Sequence, residues 1–168
     1  EYALAMREDG RSLDETEAQI RATLPDAHLL LIPRTLENLV KNGRAPKLAG
    51  QLTQMLNIRL AVSPEWKSGE IKAIKKGRGA KRIVTNTMAD CLAFLAEHPG
   101  SSVRVLTTGA AEEQELVSQA LAGQDYVDAG TGPIGCTIAT HGTIFGLSAA
   151  NQSLFHRNLE IGDQPSGP

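Results

Sequence analysis

Aromatic residues are scarce in this 168-residue chain, with one Trp, two Tyr and three Phe. That scarcity argues against a surface that binds single-stranded nucleic acid, which needs rings for bases to stack on. Excess charge is absent as well: 17 Lys and Arg stand against 19 Asp and Glu, for a net charge of -2. A chain so balanced meets charged partners at a local site, not through its overall field. No apolar run approaches eighteen residues, which excludes a membrane-spanning helix. Cysteine is limited to Cys91 and Cys136. Both lie in apolar runs and are read as reduced core thiols of a cytosolic protein, not as a disulfide framework. There is no Cys-x-x-Cys and no His-x-x-x-His, so no metal spacing is present and none is expected. Gly77 and Gly79 lack the spacing of a nucleotide-binding loop. No secretory leader is visible ahead of Glu1, and "EYALAMREDG" already patterns like the end of a helix, so the chain is read as a fragment.

What is present suffices for one core and one compact domain, since 41% of the residues are apolar. Ser12 and Glu15 form a capping box ahead of a helix that carries Ile20 and Leu24 and stops at Pro25. "HLLLIP" reads as a short buried strand. Thr35 is placed to cap a helix through Leu36, Leu39 and Val40, with Gly43 as its left-handed end. Pro46 suits the first turn of another helix, bearing Leu48, Leu52, Met55 and Leu56 on one side. "IRLAVSP" and "EIKAIKK" alternate as two antiparallel strands. Ile83, Val84, Thr87, Met88, Cys91, Leu92 and Leu95 then mark a long helix with one apolar face, which needs a broad surface such as a sheet. "SVRVLTT" and "YVDAG" read as strands on either side of a helix from Ala110 to Leu121. "PIGCTIATHGTIFGLSAA" reads as a strand to Thr140, a tight turn, and a strand or short helix beyond Gly146. The expected class is α/β with α+β character: a mixed, largely antiparallel sheet of about five or six strands covered by helices. The Gly/Pro-rich end, 152–168, is expected to be a flexible tail.

Polar chemistry gathers in three places. The break at Asn42-Gly43 leaves Arg44 beside the start of a new helix, where amide donors and a guanidinium fork suit a carboxylate or phosphate. Lys72 to Arg82 holds six basic residues in eleven and no acidic one, at a strand-to-helix junction. A regulatory or nucleic-acid-binding module is one reading of that run. His141 is expected to close an apolar strand beside Gly142 and Thr143. There it can donate to an oxyanion or carry a phosphoryl group, which would make the protein an enzyme.

The order of these pieces resembles the C-terminal half of the DegV family, bacterial fatty-acid-binding proteins that include the binding subunits of the fatty acid kinase system. The resemblance rests on "TLENLVKNGRAPKLAGQLTQMLNIRLAV", a "G-E-I" hairpin, "KKGRGAKR" with its long helix, and "TIATHG". It implies a DegV-like lipid-binding domain over residues 1–151 and an N-terminal DegV half that this chain lacks. It also implies a cytoplasmic, non-catalytic binding subunit, with a long-chain fatty acid as ligand and no other cofactor. A separate fatty acid kinase would convert the presented acid to acyl phosphate. By motif position, Arg44 and His141 would hold the carboxylate, with Gly43, Thr140, Gly142 and Thr143 around it. Arg78 and Lys76 would face the kinase and its phosphate, and Leu52, Met55, Leu56 and Ile138 would line the acyl tunnel. Two departures from the family pattern stand out: Asn42-Gly43-Arg44-Ala45-Pro46 replaces Gly-Gly-Arg-Ile-Ser, and Gly142-Thr143-Ile144-Phe145 replaces Thr-Gly-Pro-Gly.

Overall fold

Residues 2–44, 47, 58–139 and 143–150 are described by the structure, a computed structural model of the chain. Two helices open it, α1 (Tyr2–Glu8) and α2 (Leu13–Thr23). The capping box forms as expected. The Ser12 hydroxyl accepts from the Glu15 amide at 3.3 Å, and the Glu15 carboxylate accepts from the Ser12 amide at 2.8 Å. Bonds from the Ser12 side chain and then its backbone hold the Glu15 carboxyl below its ordinary value of 4.5. Pro25 sits in a single 3₁₀ turn, Leu24–Asp26, that leads into strand β1 (Ala27–Pro33).

Five more strands complete one sheet: β2 (Ile58–Pro64), β3 (Ile71–Arg78), β4 (Ser102–Thr107), β5 (Val127–Pro133) and β6 (Thr143–Ala150). Their order is β3-β2-β1-β6-β4-β5, and all neighbours are antiparallel except β4 and β5. That parallel pair is joined by helix α5 (Ala111–Leu121), because parallel neighbours cannot be linked by a tight turn. The expected class therefore holds. Strand β6 is inserted between β1 and β4, so β1 is central and buried toward its end on both faces, as a continuous apolar run should be.

The two faces are covered differently. Leu30, Ile32 and Ala61 point to the side of helix α4 (Gly79–Glu97), where Ile83, Val84, Met88, Cys91, Phe94 and Leu95 join Val103, Val117 and Leu121 in the main core. Burial of each such aliphatic side chain favours folding by about 1.5–3 kcal/mol, so this long helix is the chief clamp on the sheet. The one polar side chain in its stripe, Thr87, is satisfied by the Ile83 carbonyl at 2.8 Å. The opposite face carries Leu31, Leu60 and Val62, packed on Leu36 and Leu39 of the short helix α3 (Glu37–Lys41) and its approach. Thr35 does contribute to the start of α3, its hydroxyl accepting from the Glu37 amide at 3.2 Å, while Leu36 occupies the N-cap position itself.

Two expectations fail here. Cys91 is buried and its thiol is pushed up to about 11 by desolvation, whereas Cys136 is exposed and not a core thiol. The strand expected to run to Thr140 is instead broken by a one-turn helix, α6 (Cys136–Ala139). The Ile138 and Ala139 amides both bond back to the Gly135 carbonyl at 3.0 Å. A short apolar run does not reveal its own period. Here β5 ends at Pro133, and the Ile138 and Ala139 amides are satisfied within the turn itself and not by a neighbouring strand. Because the run is helical, Cys136 escapes the alternation that would have buried it.

Candidate functional site

Helix α3 ends in a Schellman motif. Gly43 adopts φ 66°, its amide bonds to the Val40 carbonyl at 3.0 Å, and the Arg44 amide bonds to the Leu39 carbonyl at 2.9 Å. Glycine is needed at that left-handed position, and the sequence places one there. The consequence for Arg44 is specific. Its backbone is fixed and its amide is spent on the helix, so only the exposed guanidinium remains to meet a ligand, and it has no ion partner among the described residues. Just beyond it, the Lys47 ammonium binds both oxygens of Glu70, at 2.7 and 2.8 Å. Glu70 lies in the β2–β3 turn.

The basic run is divided by its own neighbours. Lys72 pairs with Glu65 at 2.9 Å and Lys75 with Asp90 at 2.9 Å. Lys76, Arg78, Lys81 and Arg82 are exposed and have no such partner among the described residues. Arg78 closes β3 and is the N-cap of α4, whose first turn carries no side-chain cap and no acidic residue. The two flanking glycines serve different ends. Gly79 has φ 75° with open space beside it, whereas Gly77 faces the α4 backbone so closely that a Cβ would lie 2.6 Å from the Ile83 nitrogen.

The strand register brings some of the expected residues together. Thr143, the first residue of β6, stands opposite Pro33, the last of β1. Arg78 stands opposite Ile58, the first of β2, and Thr107 opposite Phe145. One end of the sheet thus collects Arg78, the backbone of Thr143 and the turn after β4. The Lys47–Glu70 pair draws the chain after Arg44 toward the other end. Thr140, His141 and Gly142 lie outside the described residues, as do Leu52, Met55 and Leu56. Ile138 is 37% exposed on α6.

One charged pair was not foreseen. Arg59 Nη1 binds Glu113 Oε1 at 2.6 Å, and Glu113, in the first turn of α5, is only 5% exposed. The clue in the sequence was weak: in "IRLAV", Arg59 shares the inward phase of Ala61, and a cation there demands a buried anion. A cavity of about 170 Å³ lined by Leu95, Ala96, Pro99, Gln124 and Asp125 sits between the C-terminal ends of α4 and α5. It is smaller than a pocket for a ligand of drug size.

A family model described as "Uncharacterised protein, DegV family" matches residues 1–150. A DegV domain-containing protein of Clostridium acetobutylicum is 28% identical over 141 residues, 83% of this chain and 48% of that protein. A solved fatty-acid (stearic acid)-binding protein from Eubacterium ventriosum superposes with TM-score 0.74 at 20% identity, over 93% of this chain and 54% of that one. The Streptococcus pneumoniae Fatty Acid Kinase (Fak) B3 protein loaded with linoleic acid superposes with TM-score 0.70 at 23% identity, over 88% of this chain and 52% of that one. The chain spans about half the length of the relatives it matches.

Proposed function

The chain belongs to the DegV family, and on that premise we propose that it is the C-terminal, lipid-binding part of a carrier that holds one long-chain fatty acid and presents it to a separate kinase. An N-terminal DegV half would complete the site. The observation that carries this reading is the match of nearly the whole chain to solved folds whose names state a bound fatty acid. Arg44 and His141 hold the carboxylate, with Gly43, Thr140, Gly142 and Thr143 shaping the turns beside it. Leu52, Met55, Leu56 and Ile138 line the path of the acyl chain. Arg78 and Lys76 face the kinase and its phosphate, which agrees with their lack of ion partners where Lys72 and Lys75 are neutralised. The protein itself is a binding subunit acting in the cytoplasm, and the acyl phosphate forms in the partner. No described helix is long and apolar enough to cross a membrane.

Magnitudes assign the roles. Each buried methylene favours binding by about 0.8 kcal/mol, and a charge-assisted hydrogen bond by about 1.5–3 kcal/mol. The acyl chain therefore supplies most of the affinity, and the head-group contacts set its orientation. Organic extraction of the natural full-length protein followed by mass spectrometry is expected to yield a long-chain fatty acid. Arg44→Ala is expected to leave the acid bound within about tenfold of its normal affinity while acyl phosphate formation falls further. Turnover at the unaltered rate in that variant would refute the head-group assignment, and an extract free of fatty acid would refute the function.

A further inference from the structure

The pair of Arg59 and Glu113 is unevenly buried and incompletely joined. The Glu113 side chain is 7% exposed and that of Arg59 28%, so the cation is the member turned outward. A carboxylate and a guanidinium that serve only each other meet fork to fork, through two parallel bonds. Here a single bond is made, from Nη1 to Oε1 at 2.6 Å. A guanidinium carries five N–H donors, and the others on Arg59 have no partner among the described residues. None of the buried side-chain donors among those residues is left unsatisfied, so Nε and Nη2 of Arg59 open to solvent.

The guanidinium is also held still. Glu113 lies one turn before Val117 on the buried face of α5, and Arg59 lies on the same side of β2 as the fully buried Ala61. A cation fixed by a buried carboxylate has lost its rotamer freedom during folding and loses little more when it binds. In the β2–β3 register Arg59 stands opposite Gly77, which packs on the Arg82 and Ile83 backbone. Lys76 and Arg78 flank that glycine, Lys81 and Arg82 follow in the first turns of α4, and all four are exposed. Against them stands Glu112, exposed in the first turn of α5, while the charge of Glu113 is already matched by Arg59. The surplus at this end of the sheet is therefore positive. Spare donors on more than one edge of a fixed guanidinium, within that surplus, suit a dianionic phosphoryl group better than a carboxylate, which one fork satisfies.

We infer that Arg59 is a receptor for a phosphoryl group and that Glu113 is the residue that positions it. The source of that group, the kinase's phosphoryl donor or the acyl phosphate product, rests on the function proposed above; the receptor itself does not.

The chain is titrated calorimetrically at constant ionic strength with pyrophosphate, standing for the donor, and with acetyl phosphate, standing for the product. Saturable binding is expected, and the tighter of the two names the source. Arg59→Lys keeps the charge but loses the fork, and should weaken binding by about tenfold. Glu113→Gln decides the positioning role, because its two possible effects have opposite signs. Removal of a negative charge would by itself tighten an anion, whereas a loosened Arg59 weakens it, and weaker binding is the result expected. Arg59→Met with Glu113→Leu keeps the core filled and should bind neither probe. The inference is overturned by a parent chain that binds neither, by unaltered binding in Arg59→Lys or in the double variant, or by tighter binding in Glu113→Gln. Phosphate binding by a protein whose full-length form yields no fatty acid would sink the proposed function and leave the receptor standing. Fatty acid without phosphate binding would sink the receptor alone.

Discussion

Replacing Gly77 by alanine should cost more than replacing Gly79, although Gly79 has the unusual backbone. A Cβ on Gly77 would lie 2.6 Å from the Ile83 nitrogen, 2.8 Å from its Cα and 2.9 Å from the Arg82 carbonyl carbon. Ordinary carbon contacts begin at about 3.5 Å, so the methyl is short by nearly 1 Å against atoms that are all backbone. Those atoms belong to the first turns of a 19-residue helix whose Ile83 and Val84 are buried in the core, so they cannot yield by rotating a side chain. Overpacking of this kind costs about 1–3 kcal/mol, and the rigidity of the neighbour puts Gly77→Ala in the upper part of that range. At Gly79 nothing lies within 4 Å, and only the left-handed φ of 75° penalises alanine, by about 1–2 kcal/mol. Both variants gain about 0.4–1 kcal/mol from a less free unfolded chain, which offsets a good part of the loss at Gly79. Urea unfolding of the two variants beside the parent should therefore rank Gly77→Ala as the less stable by at least about 1 kcal/mol. Gly79→Asn should be milder still, because Asn tolerates the left-handed region, whereas Gly77→Ser should be no better than Gly77→Ala. Gly77→Ala within about 0.5 kcal/mol of the parent, or milder than Gly79→Ala, would refute the argument from close approach.

Removing one member of the Arg59–Glu113 pair should be severe. Glu113→Ala leaves a part-buried guanidinium unpaired and is expected to cost about 3 kcal/mol, while Arg59→Met with Glu113→Leu should come within about 1 kcal/mol of the parent in the same urea assay. Thiol titration with a chromogenic disulfide at pH 8 should count one fast cysteine, the exposed Cys136; Cys91, with its thiol pushed up to about 11 by burial, should react only on unfolding, and two fast thiols would contradict its placement. Because the Glu15 carboxyl is held below its ordinary value of 4.5, the stability it lends α2 is fully present above that pH and is lost as pH falls through the lower folded value. Helix content followed by circular dichroism should show this loss in the parent, and Glu15→Gln, which keeps an acceptor but does not titrate, should lose less over the same pH interval.

How much could be read in advance divides by the range of the interaction. The capping box, the Gly43 end of α3, the β2–β3 hairpin and the apolar stripe of α4 all depend on residues within a few positions of one another, and all were legible. The segment from Ile134 to Ala139 was misread because a short apolar run fits either period, and only the fold shows the Ile138 and Ala139 amides bonding back to Gly135. Cys136 was misplaced for the same reason. In the basic run, spacing showed six like charges, but not that Glu65 and Asp90 would cancel two of them from elsewhere in the fold.

Local order along the chain thus determined which elements form, where they stop, and where cations and glycines gather, because capping, turns and periodicity act over one or two helical turns. Tertiary structure alone decided that β6 lies between β1 and β4, that Arg59 finds Glu113, and that Lys47 is held by Glu70 in the β2–β3 turn. Each of these joins residues far apart in sequence, and such a pairing is settled only when burial and charge compensation are satisfied across the whole sheet at once.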